Sequence, residues 1–261
     1  MKIATFNINN IQRRLSVLLA WLKKAKPDIV CLQELKAAHD AFPAAAIERA
    51  GYSFVHRGEK TWNGVAILAR KSRPIVTRLE LPGDPGDRQS RYIEAAVNGV
   101  LVGCLYLPNG NPQPGPKFDY KLAWFERLLD HAQHLRAGPH PAILAGDFNV
   151  VPTDADIYNA WLWRFDAVIQ PETRAAWGRL LAQGWIDATR RLHPDERVYT
   201  FWVNAEAFQR RAGFRMDFLL LDPRLGGRLQ RAGVDAEERG REKASDHAPV
   251  WVELGGPMPG S

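Results

Sequence analysis

Short apolar runs that stop abruptly on a polar side chain constrain this chain more than any other feature. Ala142-Ile143-Leu144-Ala145-Gly146 ends in Asp147, with Asn149 two residues further on. Ile3 to Phe6 ends in Asn7, Ile29 to Gln33 in Glu34, and Leu101 to Leu105 in Tyr106. Apolar runs of this length bounded by turn residues read as buried strands. Two later runs carry polar groups at their start: Asp217 opens the Met216 to Leu221 run, and Asp246-His247 precedes Pro249 to Leu254. One strand stopping at Gly-Asp is an ordinary turn signal. Several together point to strand ends gathered along one edge of a sandwich. Gly146 is read as the tight turn that lets Asp147 and Asn149 project past the sheet.

The intervening segments supply the other layers. Leu15, Leu18, Leu19 and Leu22 recur at helical spacing until Pro27, and a second helix is expected around Ala41 to Ala50 with Gly51 as its cap. Tyr52 to Arg57, Val65 to Ala69, Ile75 to Leu79 and Tyr92 to Val97 continue the strands. Asn98-Gly99 tolerates the positive φ of a two-residue hairpin turn, so Val100 to Leu105 should return beside Tyr92 to Val97. The Pro- and Gly-rich Asn109 to Pro116 segment reads as an exposed loop. Leu122, Phe125, Leu129 and Ala132 mark an amphipathic helix, and Arg174 to Gln183 another, capped by Gly184. Trp161, Trp163 and Trp177 read as packing residues, His131 and His134 as solvated surface, and Arg228 to Lys243 as a charged connection.

Composition narrows the class of function. With 46% apolar residues in 261 and no Pro/Gly/Ser-rich linker, one domain over 1–254 is expected, with a tail at 255–261. The formal charge of +6 favours a polyanionic partner, nucleic acid before membrane. Cys31 and Cys104 lie inside strand-like runs, where a thiol is a small buried hydrophobe, and no disulfide or zinc spacing can be built from them. No run approaches membrane-spanning length and no apolar leader opens the chain, so a cytoplasmic setting is expected.

The polar strand ends have a chemical reading. Gathered carboxylates repel one another unless a cation sits among them, and oxygen donors without thiolates favour a hard ion such as Mg²⁺, with Mn²⁺ as a substitute. Glu34 is the principal candidate ligand. Asp217 and His247 form a candidate carboxylate–imidazole pair suited to phosphate binding. Asp147 is then free to take a proton from an attacking water, with Asn149 orienting it.

At these residues the chain resembles the exonuclease III family of apurinic/apyrimidinic endonucleases, within the DNase I-like phosphoesterases. The resemblance rests on Phe6-Asn7-Ile8-Asn9, Leu32-Gln33-Glu34-Leu35-Lys36, Asn63-Gly64-Val65-Ala66-Ile67-Leu68, Tyr106-Leu107-Pro108-Asn109 and Gly146-Asp147-Phe148-Asn149. Tyr199-Thr200-Phe201-Trp202, Arg215-Met216-Asp217 and Ser245-Asp246-His247-Ala248-Pro249 complete it in order. It implies an α+β fold, a four-layer αββα sandwich of two mixed sheets packed face to face with helices outside. It also implies metal binding by Glu34, with Asp246, Asn7 and Asn9 nearby, and contact of Tyr106, Asn109 and His247 with the scissile phosphate. Asp147, assisted by Asn149, would activate the water, and Asp217 would orient the histidine. An apolar pocket at Phe201, Phe214 and Met216, with Trp202 and Arg215 beside it, would admit a flipped deoxyribose that lacks its base. Arg210, Arg211 and Arg215 could hold phosphates.

The expected activity is hydrolysis of DNA 5′ to abasic sites, with 3′-to-5′ exonuclease and 3′-phosphatase or phosphodiesterase action, by a monomer on duplexes with abasic sites or blocked 3′ ends. Asn10, Leu35 and Val203-Asn204 depart from the family pattern, which leaves the balance among these activities open. The Trp161 to Glu172 segment is a place where that balance could be set. A phosphoesterase of inositol phosphates or sphingolipids would share Glu34, Asp147, Asn149 and His247. A non-catalytic DNA-binding module on the same fold is the other alternative.

Overall fold

The computed structural model describes residues 1–256. Its first half contains the strands β1 (Lys2–Asn7), β2 (Ile29–Gln33), β3 (Tyr52–Arg57), β4 (Val65–Arg70), β5 (Ile75–Arg78), β6 (Tyr92–Val97) and β7 (Val100–Tyr106). The second half adds β8 (Ala142–Asp147), β9 (Ile186–Asp187), β10 (Asp217–Leu221), β11 (Leu229–Val234) and β12 (Val250–Leu254). One six-stranded sheet has the order β11-β12-β1-β2-β4-β3, the other β5-β6-β7-β8-β10-β9. Each is mixed: β1 lies parallel to β2 and β7 parallel to β8, while the other pairings are antiparallel. A parallel pair cannot be joined by a hairpin, and the helices α1 (Leu15–Ala25) and α3 (Pro116–Ala137) make the two crossovers; α2 (Ala44–Arg49) precedes β3.

Alternation along the strands sorts the side chains into layers. Ile3, Ile29, Cys31, Ile67, Ile93, Val102, Cys104, Ile143, Leu219 and Val252 meet between the sheets. The opposite face of the first sheet presents Ala4, Phe6, Val30 and Leu32 to Leu18 and Trp21 of α1. The opposite face of the second presents Leu105, Leu144 and Phe218 to Trp124 and Phe125 of α3 and to Trp177 of α4 (Pro171–Ala182). Near-continuous apolar runs are what strands covered on both faces require. The result is the expected four-layer sandwich, and both cysteines are free thiols buried in its central layer.

The register decides where the strand ends fall. Asn7 lies opposite Gln33, the residue before Glu34, and Asp147 lies opposite both Tyr106 and Asp217. Asn7, Glu34, Tyr106, Asp147 and Asp217 therefore share one rim.

Several expectations are corrected. Gly146 is inside β8, and the residue is glycine because a Cβ there would collide with the Leu105 carbonyl; the left-handed turn falls at Asn149, φ 45°. The charged Arg228 to Lys243 segment contains β11, an edge strand whose Arg231 stays in solvent opposite Glu253. His131 is buried: its Nε2 lies 2.8 Å from Glu94 Oε2, and Tyr92 OH donates to the same oxygen at 2.9 Å. Trp161 is 69% exposed, while Trp177 is buried. Of the expected tail, 257–261 lie outside the described residues. Among the described residues no helix is long and apolar enough to cross a membrane.

Candidate active site

The rim opens into a cleft of about 640 Å³, bordered by Glu34, Tyr106, Asn109, Asp147, Asn149 and His247, with Asp246, Phe201 and Met216 along one side. Asn7 ties its centre together. Its Nδ2 donates to Glu34 Oε1 at 2.9 Å and to Asp147 Oδ2 at 3.0 Å, so a side chain from the first sheet holds a carboxylate of the second. Glu34 follows β2 with φ 53°, which turns the chain out of the sheet immediately past the last paired residue.

His247 approaches from the C-terminal side. Its Nδ1 lies 2.8 Å from Asp217 Oδ2, its Nε2 3.8 Å from Asp147 Oδ2, and all three side chains are buried. Burial lowers the imidazole, but the charge and hydrogen bond of Asp217, joined by Asp147 and Asp246, outweigh it and raise the group to about 10. His247 is thus held as an imidazolium with Nε2–H directed toward Asp147. Thr200 Oγ1 donates to Asp217 Oδ2 at 2.6 Å and accepts the Met216 and Asp217 amides. Ser245 Oγ donates to the Asn7 carbonyl at 2.6 Å and accepts the His247 amide at 3.2 Å, joining the His247 segment to β1.

Asp147 is the perturbed acid. Burial raises it, His247 opposes this, Asp217 raises it further, and the carboxyl reaches about 7. Its Oδ1 accepts the Asn149 backbone N–H at 2.9 Å. Asn149 Nδ2 donates to the Leu107 carbonyl at 2.8 Å and Asn149 Oδ1 accepts from Asn109 Nδ2 at 3.2 Å. Burial, then the Glu34 and Asp147 charges, push the Tyr106 phenol well up, so it stays a hydrogen-bond donor; the Arg91 guanidinium lies 4.8 Å over its ring.

Glu34, Asp147 and His247 each offer a ligand atom, all within 4.8 Å of one another. The carboxylate oxygens are the donors suited to a hard divalent ion, with Glu34 the less buried of the pair. Asp246 and Asn9 stand beside this pair. Asp246 accepts from Asn9 Nδ2 at 2.9 Å. Burial raises its carboxyl, but His247 and that hydrogen bond outweigh the effect and hold it below the usual range.

The anticipated sugar pocket is only partly in the cleft. Phe201 lies against His247, 4.8 Å between ring centroids, and Met216 borders the same space. Phe214 sits behind Phe201 and under the edge of Trp163, 4.8 Å away. Trp202 faces the other way, onto Phe208, and borders a separate cavity of about 960 Å³ with Tyr199, Arg210 and Arg211; that larger cavity holds none of the rim carboxylates. Arg215 cannot reach a phosphate: it is 2% exposed, with Nε 2.7 Å from Asp156 Oδ1 and Nη1 2.6 Å from Asp187 Oδ2. An arginine bordering an apolar run resembles a surface group in sequence, and only the fold brings two aspartates to it.

Two lysines escaped the sequence reading. Lys121 is wholly buried, and its Nζ donates to the carbonyls of Asn109 at 3.0 Å and Asn149 at 2.5 Å. Its signal was available, since Lys121 lies three residues after Phe118 and four before Phe125, on the buried face of α3. Lys36 Nζ lies 2.7 Å from Glu34 Oε2 and donates to Asn9 Oδ1 at 2.7 Å.

Known proteins resemble this chain over nearly its whole length. The family described as Endonuclease/Exonuclease/phosphatase matches residues 4–247. The chain is 34% identical to the exodeoxyribonuclease III of Haemophilus influenzae, covering 97% of this chain and 100% of that protein. An AP endonuclease from Archaeoglobus fulgidus superposes with a TM-score of 0.92 at 36% identity, over 97% of this chain and 99% of its own. The 3′ phosphatase NExo from Neisseria, solved bound to a product DNA hairpin, gives a TM-score of 0.94 at 39% identity, over 98% and 100%.

Proposed function

The chain belongs to the endonuclease/exonuclease/phosphatase family, and from that premise we propose that it is a DNA-repair phosphodiesterase acting by metal-assisted hydrolysis. Its substrates are duplexes carrying abasic sites or blocked 3′ ends. At an abasic site it cuts the backbone on the 5′ side, leaving a 3′-hydroxyl and a 5′-deoxyribose phosphate. The observation that carries this reading is the meeting of Glu34 and Asp147 on one Asn7 amide, with the Asp217–His247 pair beside them.

Each group has a part. Asp147, poised near neutrality, takes the proton from the attacking water, and the Asn149 amide on Oδ1 fixes the direction of its carboxylate. His247 presents Nε2–H to a phosphate oxygen, and Asp217 keeps it charged. Tyr106 and Asn109 border the same space as further donors. Glu34 would hold Mg²⁺, or Mn²⁺ in its place, with Asp246, Asn7 and Asn9 around it, and that ion supplies charge neutralisation at the phosphate oxygens when bound.

A specific observation favours 3′-end processing over internal cleavage. Trp163 packs on Phe214, which is buried and does not line the cleft, so one wall expected for a flipped sugar is withdrawn from it. Matched abasic, 3′-phosphate and recessed-3′ duplexes, each assayed with Mg²⁺ and with Mn²⁺, separate these activities. Turnover of soluble inositol phosphates or sphingolipids with none on DNA would overturn the assignment, and DNA binding without hydrolysis in either metal would reduce the chain to a binding module.

A further inference from the structure

Glu34 divides its two oxygens between different partners. Oε1 faces inward, toward Asn7 and the Asp147 side of the cleft. Oε2 lies 2.7 Å from Lys36 Nζ, and the side chains are only 14% and 20% exposed. The same ammonium donates to Asn9 Oδ1 at 2.7 Å, while Asn9 Nδ2 donates to Asp246 Oδ1 at 2.9 Å. Lys36 therefore pairs with Glu34 directly and with Asp246 through Asn9, and the Trp62 ring lies 5.8 Å from its charge.

The backbone keeps it there. Lys36 has φ 47°, its amide donates to the Asn63 carbonyl at 2.9 Å, and Leu35 donates to Gly64 at 3.1 Å. Across the strand end, Asn10 and Ile11 donate to the carbonyls of Glu34 and Leu35. The segment is pinned on both sides, so the side chain leaves from a fixed point, and its ammonium is held by Glu34 and Asn9.

We infer that Lys36 is a resident counter-ion of the metal site, placed to weaken the free protein's hold on a divalent cation; this rests on the reading of Glu34 as a metal ligand. A positive charge on one oxygen of a carboxylate repels a second cation approaching the other oxygen, and the partial burial limits solvent screening. Substrate phosphate brings the opposite charge, so metal retention is weighted toward the DNA-bound state. A lysine that merely oriented Glu34 would have the opposite effect, because its loss would loosen the ligand and weaken binding.

Titrating the full chain with Mn²⁺ in the absence of DNA, with free Mn²⁺ read by electron paramagnetic resonance, distinguishes the two. Lys36→Met and Lys36→Gln should each tighten Mn²⁺ binding about tenfold, and Lys36→Arg should stay within about twofold of the natural protein. The gain should shrink in about 0.5 M salt. Unchanged or weaker binding in Lys36→Met and Lys36→Gln overturns the inference, as does equal tightening in Lys36→Arg. If neither the natural protein nor the variants take up Mn²⁺, the metal reading of Glu34 fails and the inference falls with it.

Discussion

Asp147 and His247 are neighbours whose environments raise both groups, burial leading for Asp147 and the Asp217 charge outweighing burial for His247, so that near neutrality the first can accept a proton while the second keeps its own. Asp147→Asn removes the proton acceptor but keeps the shape, so kcat should fall about 10²- to 10⁴-fold while DNA affinity holds. Turnover near that of the natural protein would remove Asp147 from water activation. His247 makes a pH prediction for the metal-free protein. Its folded value of about 10 stands above the ordinary 6.5, because Asp217 outweighs burial. A raised folded value means that the stabilisation is fully present below about 6.5 and is lost as pH climbs toward 10. Denaturant midpoints should therefore fall between pH 7 and 10, and Asp217→Asn should flatten that fall. An unchanged slope would show that the imidazolium is not held by Asp217. Asp147, Asp217 and His247 were legible from their places at the ends of apolar runs. Lys36 and Lys121 were not legible as functional groups, because a lysine's usual place is solvent, and it takes Asn9 beside Lys36 and the Asn109 and Asn149 carbonyls around Lys121 to make them exceptional.

Among the elements, α3 does more than cover a sheet. Lys121 projects from its buried face beneath two loops that approach the cleft from different strands, one after β7 and one after β8, and bonds a carbonyl in each. Burial lowers its ammonium to about 7, with Asp166 and Asp147 opposing. Lys121→Met keeps the stem and removes the two bonds. Misplacing a reacting group by about 1 Å can cost about 10²-fold, so kcat should drop by that order with KM little changed, in protein whose circular dichroism matches the natural chain. An equal loss in KM would point to DNA contact instead. The strands of the two sheet centres were readable from their apolar runs. β9 and β11 were not, since β9 has only two residues and the alternation of β11 is broken by charged and small residues on a solvated edge.

For the whole molecule, the balance among activities can be tested at a packing contact between distant segments. Trp163, from the segment between β8 and α4, rests on Phe214, from the approach to β10. Trp163→Ala should enlarge the pocket and raise abasic-site cleavage relative to 3′-phosphate removal by about tenfold, measured as the ratio of kcat/KM on the two duplexes. A constant ratio would mean that Trp163 does not gate the sugar. The sequence by itself determined that buried strands end in carboxylates, amides, a phenol and an imidazole, because apolar periodicity and its interruption are local properties of the chain. It also carried the family, whose ordered motifs span nearly the whole length. Tertiary structure alone decided which of those groups meet. Pairing register set Asp147 opposite both Tyr106 and Asp217, and the stacking of two sheets let Asn7 bridge Glu34 and Asp147. The same long-range packing took Arg215 out of reach by giving it two buried aspartates, turned Trp202 toward another cavity, and set Asn9 between Lys36 and Asp246. Electrostatic partners and packing neighbours of this kind come from residues far apart in the chain, and no local pattern encodes their distance.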